Sequence, residues 1–370
     1  MDRYNAIDLF CGAGGLSYGF MEAGYDIIVG VDNDKDALNT FSKNHEGAMA
    51  LNADLSKQAT IDEIRHIAGD REIDVVIAGP PCQGFSVTGP RHFDDPRNRL
   101  YLAVIELVKQ YRPKGFIIEN VPGMATMYDG QVKDEILRRF RDMDYNIECR
   151  ILKACDYGVP QTRRRLIFMG VRNDVGKPEF PVPMYGPDGN RPYVTCRDAI
   201  SDLPERLDKD GLGTEEDSYS QPAQTEYQKE MRGSCNILYN HVATKHKEFV
   251  KEVIAQVPEG GNYKDLPAGV GESRNFHMAW TRLDGNAPAR TVDTGHRNIF
   301  HYSLNRVPTV RENARLQSFP DGFVFTGSRT KQSRQVGNAV PPLLGKALGL
   351  QLKKIIGGSD SCAAEDDDNA

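Results

Sequence analysis

Ala6-Ile7-Asp8-Leu9-Phe10-Cys11-Gly12-Ala13-Gly14-Gly15-Leu16 passes from a short apolar run into a glycine-rich turn. Such a passage reads as a strand, a tight turn and the first residues of a helix, the opening of an α/β unit. The turn departs from two nucleotide-binding patterns. A dinucleotide site would carry a third glycine at position 17, where Ser17 stands, and a phosphate loop would carry Gly-Lys-Ser or Gly-Lys-Thr, which is absent. A diphosphate ligand, and with it a nicotinamide-dependent dehydrogenase, is disfavoured.

Further apolar runs follow at 26–31, 73–78 and 115–118, separated by helical-looking stretches at 34–43 and 99–111. Near-continuous β-branched strands with helical crossovers predict a parallel sheet covered on both faces, an α/β doubly wound architecture. Ligands of such sheets bind at the carboxyl ends of the strands. There the second run ends in Asp32-Asn33, twenty residues after Gly12, an acid at the distance that suits a ribose diol. Asp54, after Leu51-Asn52-Ala53, lies in the same belt and can accept from an exocyclic amine. Together these residues describe an adenosine-bearing ligand without a diphosphate, and S-adenosylmethionine fits.

Two more strands read at 145–152 and 165–171. Residues 176–192 contain five Pro and three Gly, a linker pattern, and 193–310 show little periodicity and many turns. A helix at 343–356 follows Pro341-Pro342. The expected organisation is one domain from 1–175 and 328–357, a smaller irregular domain at 176–327, and a disordered acidic tail at 358–370.

The chain has 370 residues, a length that suggests two domains or one with a large insertion. No apolar run reaches the roughly 18 residues of a membrane span, and the first residues lack a secretory pattern. Seven Cys without a CxxC pair speak against a disulfide framework or a zinc site and predict a reducing cytoplasm, with no metal. The net charge of −6 is uneven: the last 13 residues carry five acids and no base, so the rest stands at −1. Residues 271–335 hold nine Arg and one Lys against five acids, a basic zone suited to phosphate contact.

Gly79-Pro80-Pro81-Cys82-Gln83-Gly84-Phe85-Ser86 follows the third run directly. A thiol at the carboxyl end of a parallel strand, preceded by two conformationally fixed prolines, is placed to act as a nucleophile. The other six cysteines read as inert, Cys11 as buried at the turn. Glu119-Asn120-Val121 ends the fourth run, so Glu119 shares the sheet edge with Cys82 and can be kept protonated by burial. In Gln161-Thr162-Arg163-Arg164-Arg165, strand alternation would put Arg163 and Arg165 on one face, and guanidinium groups suit carbonyl and phosphate oxygens.

These segments, in this order, resemble the C5-cytosine DNA methyltransferase family, as do Arg311-Glu312-Asn313-Ala314-Arg315-Leu316-Gln317-Ser318-Phe319-Pro320 and Gln335-Val336-Gly337-Asn338-Ala339-Val340-Pro341-Pro342. The resemblance runs from residue 6 to about 345. It implies a two-lobed fold, with a methyltransferase-type sheet completed by the C-terminal helix and a small target-recognition lobe facing double-stranded DNA. It implies that Phe10, Gly12, Gly14, Gly15 and Leu16 line the cofactor pocket and that Asp32 holds the ribose hydroxyls. Asn33, Asp54, Leu55 and Pro80 would flank the adenine and the methionine end, and Asn338 and Val340 would close the pocket. Asn33 stands where members often have an apolar residue against adenine. Cys82 would attack cytosine C6 in a base flipped from the duplex. Glu119 would donate to N3, Arg165 would bind O2, and Arg163 would support Glu119 or a phosphate. Gln83, Ser86, Arg97, Arg282, Arg290 and Arg297 are the candidate DNA contacts. A monomer is implied, with a restriction endonuclease as a functional partner or none. A tRNA-acting relative and a silent DNA-binding protein are the rival readings.

Overall fold

The computed structural model describes residues 3–81, 99–207, 211–267, 269–270 and 280–363. They divide into two compact units, Met1–Lys153 with Arg164–Val182 and Pro342–Ala370, and Ala154–Arg163 with Pro183–Pro341.

In the first unit the order is β1 (Tyr4–Leu9), α1 (Gly15–Glu22), β2 (Tyr25–Asp32), α2 (Lys35–Asn44), β3 (Met49–Asn52), α3 (Gln58–Ala68), β4 (Val75–Ala78), α4 (Arg99–Tyr111), β5 (Gly115–Asn120), α5 (Gln131–Arg141), β6 (Tyr145–Lys153) and β7 (Arg164–Arg172). The second unit carries α6 (Cys196–Ile200), β8 (Glu216–Asp217), α7 (Glu226–Arg232), β9 (Leu238–Tyr239), α8 (Glu248–Gln256), β10 (Thr281–Arg282), β11 (Ile299–Phe300), α9 (Val310–Leu316) and α10 (Arg329–Asn338). The chain then returns to the first unit as α11 (Pro342–Ala363).

One seven-stranded sheet, in the order β3-β2-β1-β4-β5-β7-β6, organises the first unit. β1 to β5 pair in parallel, whereas β7 runs antiparallel to both β5 and β6. The expected parallel sheet is therefore mixed, because β6 and β7 follow each other without a helical crossover. Alternation along the strands assigns two faces. Ile7, Leu9, Val29, Val31, Val76, Ala78, Phe116, Ile118 and Phe168 pack against Ile61 and Ile64 of α3, Val104 and Leu107 of α4, and Ile136 and Phe140 of α5. Asp8, Gly30 and Gly115 alternate onto the other face, where Gly30 meets Phe41 of α2 and Gly115 meets Leu352 of α11. Helices on both faces make the unit a doubly wound α/β sheet of the methyltransferase type. Each large apolar side chain buried there contributes about 1.5–3 kcal/mol.

α11 lies along α1, and glycine makes the approach possible. A Cβ on Gly19 would fall 2.3 Å from the Pro342 carbonyl oxygen. Tyr25 Oη donates to Gly349 O at 3.1 Å, and Lys353 Nζ donates to the carbonyls of Ala23 and Gly24. α11 runs on to Ala363, so residues 358–363 of the expected disordered tail are helical.

The second unit is built on buried ion pairs. Arg315 donates twice at 2.6 Å to Asp321 and twice, at 3.2 and 3.4 Å, to Asp202. Arg306 forms a two-pronged pair with Glu312, both bonds 2.7 Å, and Glu312 also caps α9 by accepting from Thr309 N. Burial alone would raise the Glu312 carboxyl, but the Arg306 guanidinium holds it well below the usual carboxylate range. Gln317 of this region donates to Val336 O at 2.8 Å, which binds α10 to the second unit. For that reason the second unit extends to Pro341, beyond the expected 327. Asn146 Nδ2 donates to Gly176 O at 2.7 Å and holds 176–182 on β6, which moves the other boundary to Val182.

Candidate functional site

The glycine-rich turn leaves β1 through Phe10, a non-glycine residue at φ 59°, then Gly12 at 55° and Gly14 at 90°. A left-handed phenylalanine stores strain of the order of 1–3 kcal/mol, which the surrounding structure must hold in place. The holding contact is Asp32. Its Oδ2 accepts from Gly12 N at 2.9 Å and its Oδ1 from Asp34 N at 2.8 Å. Each carboxylate oxygen keeps a second lone pair, so a half-buried acid that shapes the turn can still accept from a diol. Gly14 caps α1 without a side chain, leaving its first amides, at Gly15 and Leu16, beside the turn.

Ala53 N donates to Asp32 O at 3.1 Å, which brings the segment after β3 to the end of β2. Ser56 donates through its hydroxyl and its backbone N–H to Asp54 Oδ1 and so holds that carboxyl below its ordinary range. Asp54 Oδ2 lies 3.8 Å from Lys57 Nζ, Leu55 beside Asp54 is buried, and Asn33 is exposed. These donors and acceptors, in a belt along the ends of β1, β2 and β3, fit the adenosine part of S-adenosylmethionine.

The ends of β4 and β5 meet this belt. A Cβ on Gly79 would lie 3.6 Å from Glu119 Oε2 and 3.9 Å from Phe10 O. Glu119 pairs in register with Ile167 of β7, and Arg165 lies two residues along the same face. The guanidinium reaches diagonally, and its Nε stands 2.5 Å from Glu119 Oε1 with 13% of each side chain exposed. A carboxyl fixed by a cation yet still open to solvent can address a polar ring edge. Asn120 is buried; its Nδ2 donates to Pro80 O at 3.0 Å and its Oδ1 accepts from Val121 N at 2.9 Å. It clamps the buried Pro80, one residue before the exposed Pro81, to the tip of β5. Cys82, Gln83, Ser86 and Arg97 lie outside the described residues.

The second unit holds the remaining candidates. Arg163 is buried and its Nη2 donates to Asn338 O at 3.3 Å. Val340 is buried and Asn338 exposed. Gln161 donates to Leu316 O and to Gln317 Oε1 and accepts from Val292 N, so three segments that carry the resemblance converge on two buried glutamines.

Arg282 is not a DNA contact in this arrangement. It is 5% exposed, and its five N–H donors go to Val257 O, His301 O, Leu304 O, Ile254 O and Asn305 Oδ1. A guanidinium with every donor bonded inside the protein has none left for phosphate. The basic zone shrinks for the same reason, since Arg306, Arg311 and Arg315 are also buried. Arg290 and Arg297 are exposed. Among the described residues no three His, Cys, Asp or Glu side chains converge as metal ligands, and no helix is long and apolar enough to cross a membrane.

Sequence reading missed Asn120 as a clamp and the buried Ser17–His45 pair, 3.0 Å apart, behind the glycine turn. Asn120 carried a signal, a polar residue at the tip of an apolar strand beside the candidate acid. His45 carried none.

Known proteins are similar to this chain over most of its length. Type II methyltransferase M1.HphI of Haemophilus parahaemolyticus is 37% identical over 352 residues, covering 94% of this chain and 86% of the relative. Type II methyltransferase M.DdeI of Desulfomicrobium norvegicum is 36% identical, covering 93% and 87%. A solved E. coli structure, described as a DNA modification methyltransferase encoded within a prophage, superimposes with a TM-score of 0.75 at 29% identity, covering 96% of this chain and 99% of that one. The family profile described as C-5 cytosine-specific DNA methylase matches residues 4–354, the span that carries the turn, the acid–guanidinium pair and both glutamines. With that match, the chain belongs to the C-5 cytosine-specific DNA methylase family, enzymes that methylate cytosine in DNA at carbon 5.

Proposed function

We propose that the chain binds S-adenosylmethionine along Phe10–Leu16, Asp32, Asp54 and Leu55, and methylates one cytosine, flipped from duplex DNA, through a covalent bond from Cys82 to ring carbon C6. The observation that carries this reading is the Glu119–Arg165 pair at the strand edge where Asn120 clamps Pro80, two residues before Cys82. Unstacking the base costs a few kcal/mol, which contacts to the extruded ring offset. Addition of the Cys82 thiolate to C6, with a proton delivered by Glu119 to N3, makes C5 enamine-like. Arg165 orients Glu119 and meets O2. The cofactor supplies an electrophilic methyl group. Loss of the C5 proton to a base or water then lets the Cys82 sulfur leave by elimination. A covalent intermediate divides one high barrier into smaller ones.

The second unit supplies target recognition, with Arg290 and Arg297 at phosphates. We assign Arg163, Asn338 and Val340 the roles that the resemblance implies for them; within the second unit they lie in the segments that the two glutamines join. Gln83, Ser86 and Arg97 follow Cys82 closely enough in sequence to contact DNA beside the flipped base. The names of the relatives favour a type II restriction-modification setting, in which a monomeric cytoplasmic enzyme protects DNA from an endonuclease of the same specificity.

The test is a duplex carrying 5-fluorocytosine at the target, found by bisulfite sequencing of DNA from expressing cells. Fluorine blocks the elimination, so the wild-type protein should become covalently trapped in the presence of S-adenosylmethionine. Cys82→Ser should bind cofactor and yield neither product nor trapped complex. Normal turnover by Cys82→Ser would remove Cys82 from the role of nucleophile.

A further inference from the structure

Ser17 occupies the position where a dinucleotide turn would have glycine, and it is wholly buried. Its Oγ lies 3.0 Å from His45 Nε2 and 3.3 Å from Gly14 O. On the far side of the imidazole, Nδ1 lies 3.0 Å from Phe41 O. A carbonyl oxygen only accepts, so Nδ1 carries the ring proton and Nε2 is left to accept from the Ser17 hydroxyl.

The ring is fixed by shape as well. It stacks on Phe41 with centroids 4.0 Å apart and planes 6° from parallel. A Cβ on Gly14 would fall 2.2 Å from His45 Cε1, so the imidazole lies directly against the backbone of the cofactor turn. A Cβ on Gly30 would fall 2.3 Å from Phe41 Cζ, and Gly30 pairs in register with Asp8 of β1. Asp8 is buried and bonded to Ser17. Burial, then the Asp32 charge, pushes the Asp8 carboxyl up to about 8 against the opposing Ser17 bond, and burial pulls His45 down to about 4. Near neutral pH the imidazole is uncharged, with Nδ1–H donating to the Phe41 carbonyl and Nε2 facing the Ser17 hydroxyl.

We propose that His45, acting through Ser17, is a positioning residue for the cofactor turn, a buried strut that sets the Gly14 backbone and so the cradle between Gly12 and Gly15. The inference rests on the reading of that turn as the S-adenosylmethionine site. Asp32 restrains the turn from the ligand side by bonding Gly12 N, and His45 restrains it from behind.

The experiment compares His45→Phe, which keeps a ring to stack on Phe41 but removes the acceptor, with His45→Gln, which restores an acceptor for Ser17. Ser17→Ala tests the same bond from its other end, and Asp32→Ala is the control for the site. S-adenosylmethionine and S-adenosylhomocysteine affinities are measured by calorimetry, alongside kcat, KM for each substrate and Tm. Expected is a five- to tenfold rise in KM for S-adenosylmethionine in His45→Phe and Ser17→Ala, with kcat falling less than twofold. His45→Gln should recover most of the loss, and the double variant His45→Phe with Ser17→Ala should be no worse than either alone. If Asp32→Ala weakens the cofactor and both single variants stay within twofold of wild type, the strut is refuted and the site stands. If Asp32→Ala leaves cofactor affinity unchanged, the site itself is refuted. A parallel fall in Tm, kcat and DNA affinity, without rescue by His45→Gln, would reduce His45 to a packing residue and overturn the proposal.

Discussion

Arg165 reaches across from β7 to put its Nε 2.5 Å from Glu119 Oε1 on β5, although the two side chains belong to antiparallel strands and are not direct register partners. The diagonal places a fixed positive charge beside the Glu119 carboxyl. Removing it with Arg165→Ala should lower kcat by about 10²–10³-fold, the scale of losing one preorganised electrostatic contact. Cofactor affinity should stay within about twofold. Arg165→Lys should restore only part of the rate, because an ammonium cannot reproduce the planar fork. Single-turnover methyl transfer with saturating DNA measures this, and a loss below about threefold for Arg165→Ala would remove the pair from catalysis.

Asn120 joins the ends of β4 and β5 with one hydrogen bond, to Pro80 O, and accepts a second from its neighbour Val121 N. Asn120→Ala leaves the buried Pro80 carbonyl unpaired, at about 1–3 kcal/mol, and removes the acceptor of the part-buried Val121 N. We expect a lower Tm and slower trapping by 5-fluorocytosine DNA, with S-adenosylmethionine affinity retained. Asn120→Asp keeps the acceptor for Val121 N but not the donor to Pro80 O, so it should recover stability more than trapping rate. Equal recovery of both would show that the Pro80 bond does not position the nucleophile segment.

The contrast between Arg282 and Arg297 separates a structural cation from a ligand-facing one. Arg282→Ala strands carbonyls from four residues and one amide oxygen, and should destabilise the second unit by about 3 kcal/mol or more. Arg297→Ala should leave Tm unchanged, weaken DNA binding similarly for all sequences, and reduce the slope of log K against log salt by about 0.9. Salt titrations and thermal melts on the two variants decide it. A full-strength salt slope in Arg297→Ala would place the phosphate contact elsewhere.

Asp8 and His45 give a pH signature with opposing signs. Asp8 rises from 3.8 to about 8 on folding, so across that window the folded state binds the extra proton and stability falls as pH rises. His45 drops from 6.5 to about 4, so between those values the unfolded state binds the extra proton and stability rises with pH. The two nearly cancel between pH 4 and 6.5. From pH 6.5 to 8 only Asp8 acts, and about 2 kcal/mol of stability should be lost. Asp8→Asn should flatten that limb in urea melts run at fixed pH. An unchanged slope in the variant would assign it to another group.

The strands of the first unit were legible because they are runs such as 26–31 and 115–118, buried on both faces and bounded by glycine or acid. β3 escaped because Met49–Asn52 is four residues long and largely exposed. The antiparallel pairing of β7 was not legible, since its side chains read alike in either direction. Site residues at strand ends, Asp32 and Glu119, could be found because position in an α/β sheet predicts role. Arg282 misled for the opposite reason. A net basic count over residues 271–335 treats every arginine as exposed, whereas four of them neutralise buried carboxylates or cap carbonyls. His45 was invisible because its partners, Ser17 and Gly14, lie 28 and 31 positions away and meet it only once β1, α1 and α2 have packed.

The union of α1 with α11 has a temporal consequence. Gly19 and Phe20 present their surface to a helix that begins at Pro342, more than three hundred residues later in synthesis. At translation speeds of roughly 5–20 residues per second, that surface waits tens of seconds for its cover, while the whole second unit emerges from the ribosome in between. A nascent chain arrested before Pro342 should therefore be cut by protease near α1 and fail to retain cofactor, so the enzyme becomes competent only once α11 has been made.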